Sequence, residues 1–284
     1  MIFTYSQKFI DPFRAKAAEQ GIPPADVERW ISGLRPFATL LPWGDGPVAG
    51  RWGGNPWLPA DVPHPPFTLV ASIDCAALPA EATDLPLPSD GQLLLFSNDD
   101  GDACCDFRGT VVYVPAGAAV AERPWIDEDD DENEDDDDDE DEDGPWPVES
   151  LRLTIVPYHP LHPAYDSNTP EHPHGKDLAR AWEDSQEYPL GERGVQLGGF
   201  PIELNNGPID AALGAADPTA SHGGARPPVP GTEPPKDEDW VLLASADGTD
   251  MVNGGEQNLI SWVIPRQDLA ELRFDRVYVH LDGA

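Results

Sequence analysis

The chain has 284 residues, 17 Lys and Arg against 53 Asp and Glu, and a formal net charge of −36. That field excludes nucleic acid as a partner, because phosphate binding needs a basic footprint. Thirty-three prolines and 26 glycines predict many turns, while nine Trp, nine Phe and six Tyr exclude a wholly disordered chain.

In chain order, the first forty residues read as helical. Asp11 can cap a helix with Pro12 at its first position, Phe13 and Ala17 fall at i, i+4, and Gly21 stops it. Pro23 and Pro24 lead into a second helix with Val27, Trp30, Ile31 and Leu34 on one stripe, and Pro36 and Pro42 end the region. Lys8, Asp11, Arg14 and Lys16 interrupt anything resembling a secretion signal, and no run approaches the roughly 18 apolar residues of a membrane span. Cys75 and the adjacent Cys104 and Cys105 make no disulfide framework. A soluble cytoplasmic protein with reduced thiols and no membrane partner is expected.

Beyond Trp43 the texture changes to short β-favouring runs bounded by turn residues: 69–73, 92–96 and 110–114. Residues 151–156 alternate as a half-buried strand, 175–188 read as a helix, and 205–238 as a long Gly/Pro-rich connection. Strands return at 240–246, 259–264 and 276–281, with a helical turn at 265–272. Between the two groups, residues 127–143 hold sixteen acids and Asn133, and removing those acids takes the charge only from −36 to −20. Like charges at that density cannot be buried, so a solvated, disordered, solubilising loop is expected. A window at Asp139, Asp141, Asp143 and Gly144 matches the opening of an EF-hand loop, but its twelfth position is Ser150 rather than Glu.

Four segments recur in the same order. Trp52-Gly53-Gly54-Asn55-Pro56 is echoed by Leu197-Gly198-Gly199-Phe200-Pro201, and residues 69–74 by 242–247. Gln92-Leu93-Leu94 is followed weakly by Gln257-Asn258-Leu259, and Val112-Tyr113-Val114 by Val277-Tyr278-Val279. This predicts an α+β fold of two similar, mostly antiparallel β-sheet halves arising by internal duplication, with N-terminal helices packed on them and a groove between. The segments expected are a helical 1–42, a first β-rich half 43–122, the acidic loop 123–148 and a second half 149–284.

These residues resemble the YwqG-like family, a bacterial domain without an established biochemical function. The resemblance lies in Gly53, Gly54 and Pro56, in Ile73, Asp74, Leu78 and Pro79, in Gly91, Leu93 and Phe96, and in Phe274, Asp275, Arg276 and Val277. It implies duplicated α+β halves but no mechanism. Relatives in toxin–immunity settings make an inhibitory binding role one of its implications.

Elbow, zincin, Cys-x-x-Cys and phosphate-loop signatures are missing from the sequence. Four of the seven histidines, His159, His162, His172 and His174, fall in one Pro-rich span with Asp166 and Glu171, a donor set that suits a divalent metal such as zinc. Prolines 160, 163 and 173 favour instead an exposed polar loop. Cys75 with Cys104 and Cys105 reads as a reactive or metal-binding group, or as buried small hydrophobes. Trp43, Trp52 and Trp57 cluster around Gly and Pro, as a ligand platform or as core filler. Arg51 and Arg193, near the two Gly-Gly turns, either pair with local carboxylates or anchor an acidic ligand in the groove. The first reading is a non-enzymatic module binding a basic protein partner, immunity-like in its most concrete version, with Arg51, Trp52, Trp57 and Arg193 as ligand-binding residues. The alternatives are a metal-dependent enzyme using His159, His162, His172 and His174, and a small-ligand binder in the groove between halves.

Overall fold

The computed structural model describes residues 7–98, 108–124, 149–158, 168–170, 172–185, 194–216, 240–248 and 258–283. The helical opening consists of α1 (Gln7–Glu19) and α2 (Pro24–Ser32). Pro12 lies inside α1 rather than at its first position, so the helix begins before the expected Asp11 cap. Then follow β1 (Arg35–Leu41), β2 (Val48–Trp52), β3 (Trp57–Pro59), β4 (Thr68–Asp74), β5 (Gln92–Ser97), β6 (Gly109–Val114), β7 (Val120–Glu122) and β8 (Glu149–Tyr158). The remainder forms α3 (Gly175–Glu183), β9 (Val195–Gly198), α4 (Pro208–Ala216), β10 (Trp240–Asp247), β11 (Asn258–Pro265), α5 (Arg266–Ala270) and β12 (Tyr278–Gly283).

Ten of these strands form one antiparallel sheet in the order β12-β11-β10-β9-β1-β8-β2-β4-β5-β6. Its apolar inner face carries Leu40, Trp52, Ile73, Leu93, Leu95, Leu153, Leu197, Trp262 and Val279 in a single core. The sheet curls until its ends approach. Trp262 Nε1 on β11 donates to Phe96 O on β5 at 3.1 Å, and the rings of Tyr113 on β6 and Phe274 lie 6.3 Å apart. Leu78, Ala82, Leu85 and Leu87 pack onto the same core, and Arg266 fastens their segment by donating to Asp84 O at 2.7 Å and its carboxylate at 3.0 Å.

This corrects the expected fold class. The protein is mostly β, a near-barrel with a few short helices, and not an α+β pair of similar sheet halves. The matched segments lie on opposite flanks of one sheet, β2, β4, β5 and β6 on one and β9 to β12 on the other. Where a groove was expected, β1 and β8 join the flanks through continuous backbone ladders. Both Gly-Gly turns place consecutive glycines in the left-handed region, Gly53 and Gly54 at φ 61° and 76° and Gly198 and Gly199 at 71° and 76°. Side chains other than glycine rarely adopt that conformation, which is why each turn needs its pair.

The N-terminal helices do not cover the sheet as expected. They join α3 around a separate core of Phe13, Trp30, Leu178 and Trp182, with the three aromatic ring centroids 4.9–5.2 Å apart. The spacing of Val27, Trp30 and Leu34 did predict a buried stripe, but its partner is α3. Outside the barrel, α4 lies over Trp240, Leu242 and Val263, within the stretch read as an irregular connection. The other flank is covered by Leu58 of β3, which packs on Leu69, Leu94, Phe96 and Val114. Two buried carboxylates fix the C-terminal region. Asp268 pairs with Arg276 at 3.0 Å and with Arg273, and Asp282 accepts from the backbone N–H of Leu204, Asn205 and Asn206 at 2.6–3.2 Å.

Candidate functional site

Strand alternation sends Trp52 inward and Arg51 outward from β2, so neighbours in the sequence serve opposite faces. Arg51 lies opposite Ser72 of β4, and Ser72 opposite Leu94 of β5. Gly50 allows β2 to approach β4 this closely, since a Cβ there would stand 2.3 Å from Ser72 O. Two residues along β4 on the same face is Asp74, opposite Gln92.

Over this outer face runs the ribbon β3–β7, in which Trp57 opposes Glu122 and Pro59 opposes Val120. Leu58, with no exposed surface, pins the ribbon to the sheet, and Arg123 N donates to Pro56 O at 2.9 Å. Trp57 is left 44% exposed. Between ribbon, sheet and the turn at 115–118 lies a pocket of about 550 Å³, within the size range of ligand sites.

The charged lining is mixed. Arg51 is its cation; Asp74, Asp90 and Glu122 are its carboxylates. Each carboxylate is oriented through one oxygen. Asp74 Oδ1 accepts from Ala76 N at 3.0 Å, Asp90 Oδ1 from the Tyr113 hydroxyl at 3.3 Å, and Glu122 Oε1 from Asn55 Nδ2 at 3.2 Å. Burial, and then the Asp90 charge, push the Tyr113 phenol above its ordinary value, so it remains a donor at neutral pH. Among the described residues no carboxylate pairs with Arg51. The arrangement can hold a cationic group against an indole face and between oriented carboxylates, while offering a guanidinium to an anion.

Of the residues singled out in the sequence, the structure brings Arg51 and Trp57 into this one pocket. Trp52 is 1% exposed and belongs to the barrel core, and Trp43 sits between β1 and β2, outside the pocket lining, so the three indoles form no platform. Arg193, His159, His162, Cys104, Cys105 and the acidic run lie outside the described residues. His172 and His174 stand at the head of α3, where their carbonyls accept from Gly175 N and Leu178 N at 3.0 and 2.9 Å. His174 Nε2 is 3.7 Å from Asp26 of α2. Among the described residues no group of three or more His, Cys, Asp or Glu side chains is gathered to hold a metal ion. Cys75 is buried, and burial pushes its thiol up to about 12, which removes it as a nucleophile at neutral pH.

A family model described as a domain of unknown function, DUF1963, matches residues 50–283. The chain belongs to the DUF1963 family. The DUF1963 match includes every residue lining the pocket and begins after β1, so α1, α2 and the central strand precede it. No curated protein matches the chain. Among the described residues no helix is long and apolar enough to cross a membrane.

The carboxylates were the part of the site that sequence reading missed. Asp74 enters the sequence reading by name only through the family resemblance, and Asp90 and Glu122 belong to no motif in it. The usable signal for Asp74 was periodicity, because Ser72 and Asp74 are polar alternates of an otherwise apolar strand.

Proposed function

We propose that this DUF1963 protein is a non-enzymatic binding module that takes a basic segment of a partner protein into the outer-face pocket. The observation carrying this reading is the convergence of the half-exposed Trp57 with Asp74, Asp90 and Glu122, each carboxylate held through a single oxygen. A Lys or Arg side chain laid on the indole gains a cation–π contact of roughly 0.5–1 kcal/mol at such an exposed site. The net charge of −36 favours the same partner by steering basic surfaces towards the protein. The YwqG-like resemblance suggests an immunity-like role, with a basic toxin as partner, as the most concrete version.

Titration of the full chain with labelled Lys- and Arg-rich peptides, followed by fluorescence anisotropy, tests the proposal. Binding is expected to weaken between 0.1 and 1 M salt, as the Debye length falls from about 10 to about 3 Å. Trp57→Ala and Glu122→Gln are each expected to weaken it further. Unchanged affinity in both variants would place the interaction elsewhere on the acidic surface and overturn the reading.

A further inference from the structure

A wholly basic occupant leaves Arg51 unexplained. Its guanidinium lines the same pocket as three carboxylates, yet among the described residues none of them lies within ion-pair distance of it. It is also well placed to be noticed by a ligand: Arg51 stands opposite Ser72, and Asp74 is the next outward residue along β4. Diagonal positions of this kind are separated by about 7–8 Å, comparable to an extended lysine side chain. A cationic head near Asp74 and Asp90 therefore brings the other end of the same residue within reach of Arg51.

We infer that the segment entering the pocket is a carboxy-terminus ending in Lys or Arg, with Arg51 taking the free main-chain carboxylate while Trp57, Asp74 and Asp90 take the side chain. This rests on the binding reading above and names its ligand. Guanidinium and carboxylate form a planar, paired hydrogen-bonding set, the geometry in which Arg outperforms Lys. A pocket of about 550 Å³ suits a terminal residue and its immediate neighbours rather than a folded surface. The mixed lining also gives discrimination, because an internal basic segment brings no anion and leaves Arg51 facing a like charge.

Calorimetric titration of the full chain with three peptides of one sequence is the test: ending in Lys with a free carboxylate, ending in Lys as the amide, and ending in norleucine with a free carboxylate. The acid is expected to bind about tenfold more tightly than the amide, the scale of one charge-assisted hydrogen-bonding contact. Arg51→Gln is expected to abolish that difference, weakening the acid and tightening the amide, whose basic side chain then no longer shares the pocket with a like charge. Equal binding of acid and amide by the unaltered protein overturns the inference, as does an Arg51→Gln variant that keeps the difference. If the norleucine peptide binds as well as the Lys acid, the basic-segment reading fails while the carboxylate assignment stands. If none of the three binds, both fail.

Discussion

Trp262 on β11 and Phe96 on β5 are 166 residues apart in sequence, yet the indole N–H of one donates to the carbonyl of the other at 3.1 Å inside the barrel. Six strands separate β11 from β5 in the sheet order, so this bond spans the interior and not a neighbouring ladder. It ties the two flanks of the sheet together, and β5, which accepts it, also lines the outer-face pocket through Gln92 and Leu94.

Trp262→Phe keeps an aromatic ring in the core but removes the donor, leaving the Phe96 carbonyl without that partner. A loss of about 1–3 kcal/mol is expected, the cost of an unmade buried hydrogen bond together with a smaller side chain. Urea unfolding should show a lower midpoint with an unchanged slope.

Asp268 is 1% exposed and faces two guanidiniums, Arg273 and Arg276. Asp268→Asn removes the charge that faces Arg276 and leaves Arg273 with Glu271, 3.2 Å away, as its remaining carboxylate. Since the arginines reach solvent, about 2 kcal/mol is expected, below what a fully enclosed pair costs. Thermal melting compared with Asp61→Asn, at an exposed turn position, separates this effect from a general change in surface charge.

Cys75, 3% exposed with its thiol pushed up to about 12, should resist alkylation at pH 8 in the native protein and react fully in denaturant. Mass spectrometry of the peptide containing Cys75 reads this separately from Cys104 and Cys105. Rapid native labelling of Cys75 would contradict its burial.

His280 on β12 places Nε2 3.2 Å from Asn206 O, and burial lowers its pKa below 6.5 against the opposing pull of Asp282 and the Asn206 carbonyl. The folded state therefore binds this proton less readily than the unfolded chain. The stability involved is fully present above the unfolded value of 6.5 and is lost as pH falls through 6.5 towards the folded pKa. Unfolding free energy should fall between pH 7 and 5, and His280→Gln should flatten that slope. Glu28, lowered below 4.5 chiefly by its hydrogen bond from Arg14, acts in a separate and more acidic window.

Short strands bounded by turn residues were legible because alternation and β-branched residues act locally. The runs at 69–73, 92–96, 110–114, 240–246 and 259–264 all lie within observed strands. The central strand β1 was not legible, because Pro36 and Pro42 read as breakers. Pro36 is tolerated because only β8 pairs with it, the ladder to β9 beginning at Phe37. Helix α4 was missed for a related reason: a Gly/Pro-rich surrounding hid a short apolar helix whose stability comes from Trp240, Leu242 and Val263 beneath it. At the site, Arg51 and Trp57 stood out as a cation and an indole beside a Gly-Gly turn. Trp52 stood out equally and was misassigned, since adjacent strand residues face opposite ways and composition does not say which way is in.

The amino-acid sequence by itself determined the acidic field, the turn-forming glycine pairs, most strands and the buried stripe of α2, all properties set by single residues or by spacing within a few turns. The tertiary structure decided the rest. One sheet rather than two follows from β1 and β8 pairing with strands far away in the chain, and the pocket follows from β3 and β7, more than sixty residues apart, meeting over β4 and β5. Such pairings depend on which long loops close around a shared core, an energy summed over the whole fold and written in no local run of residues.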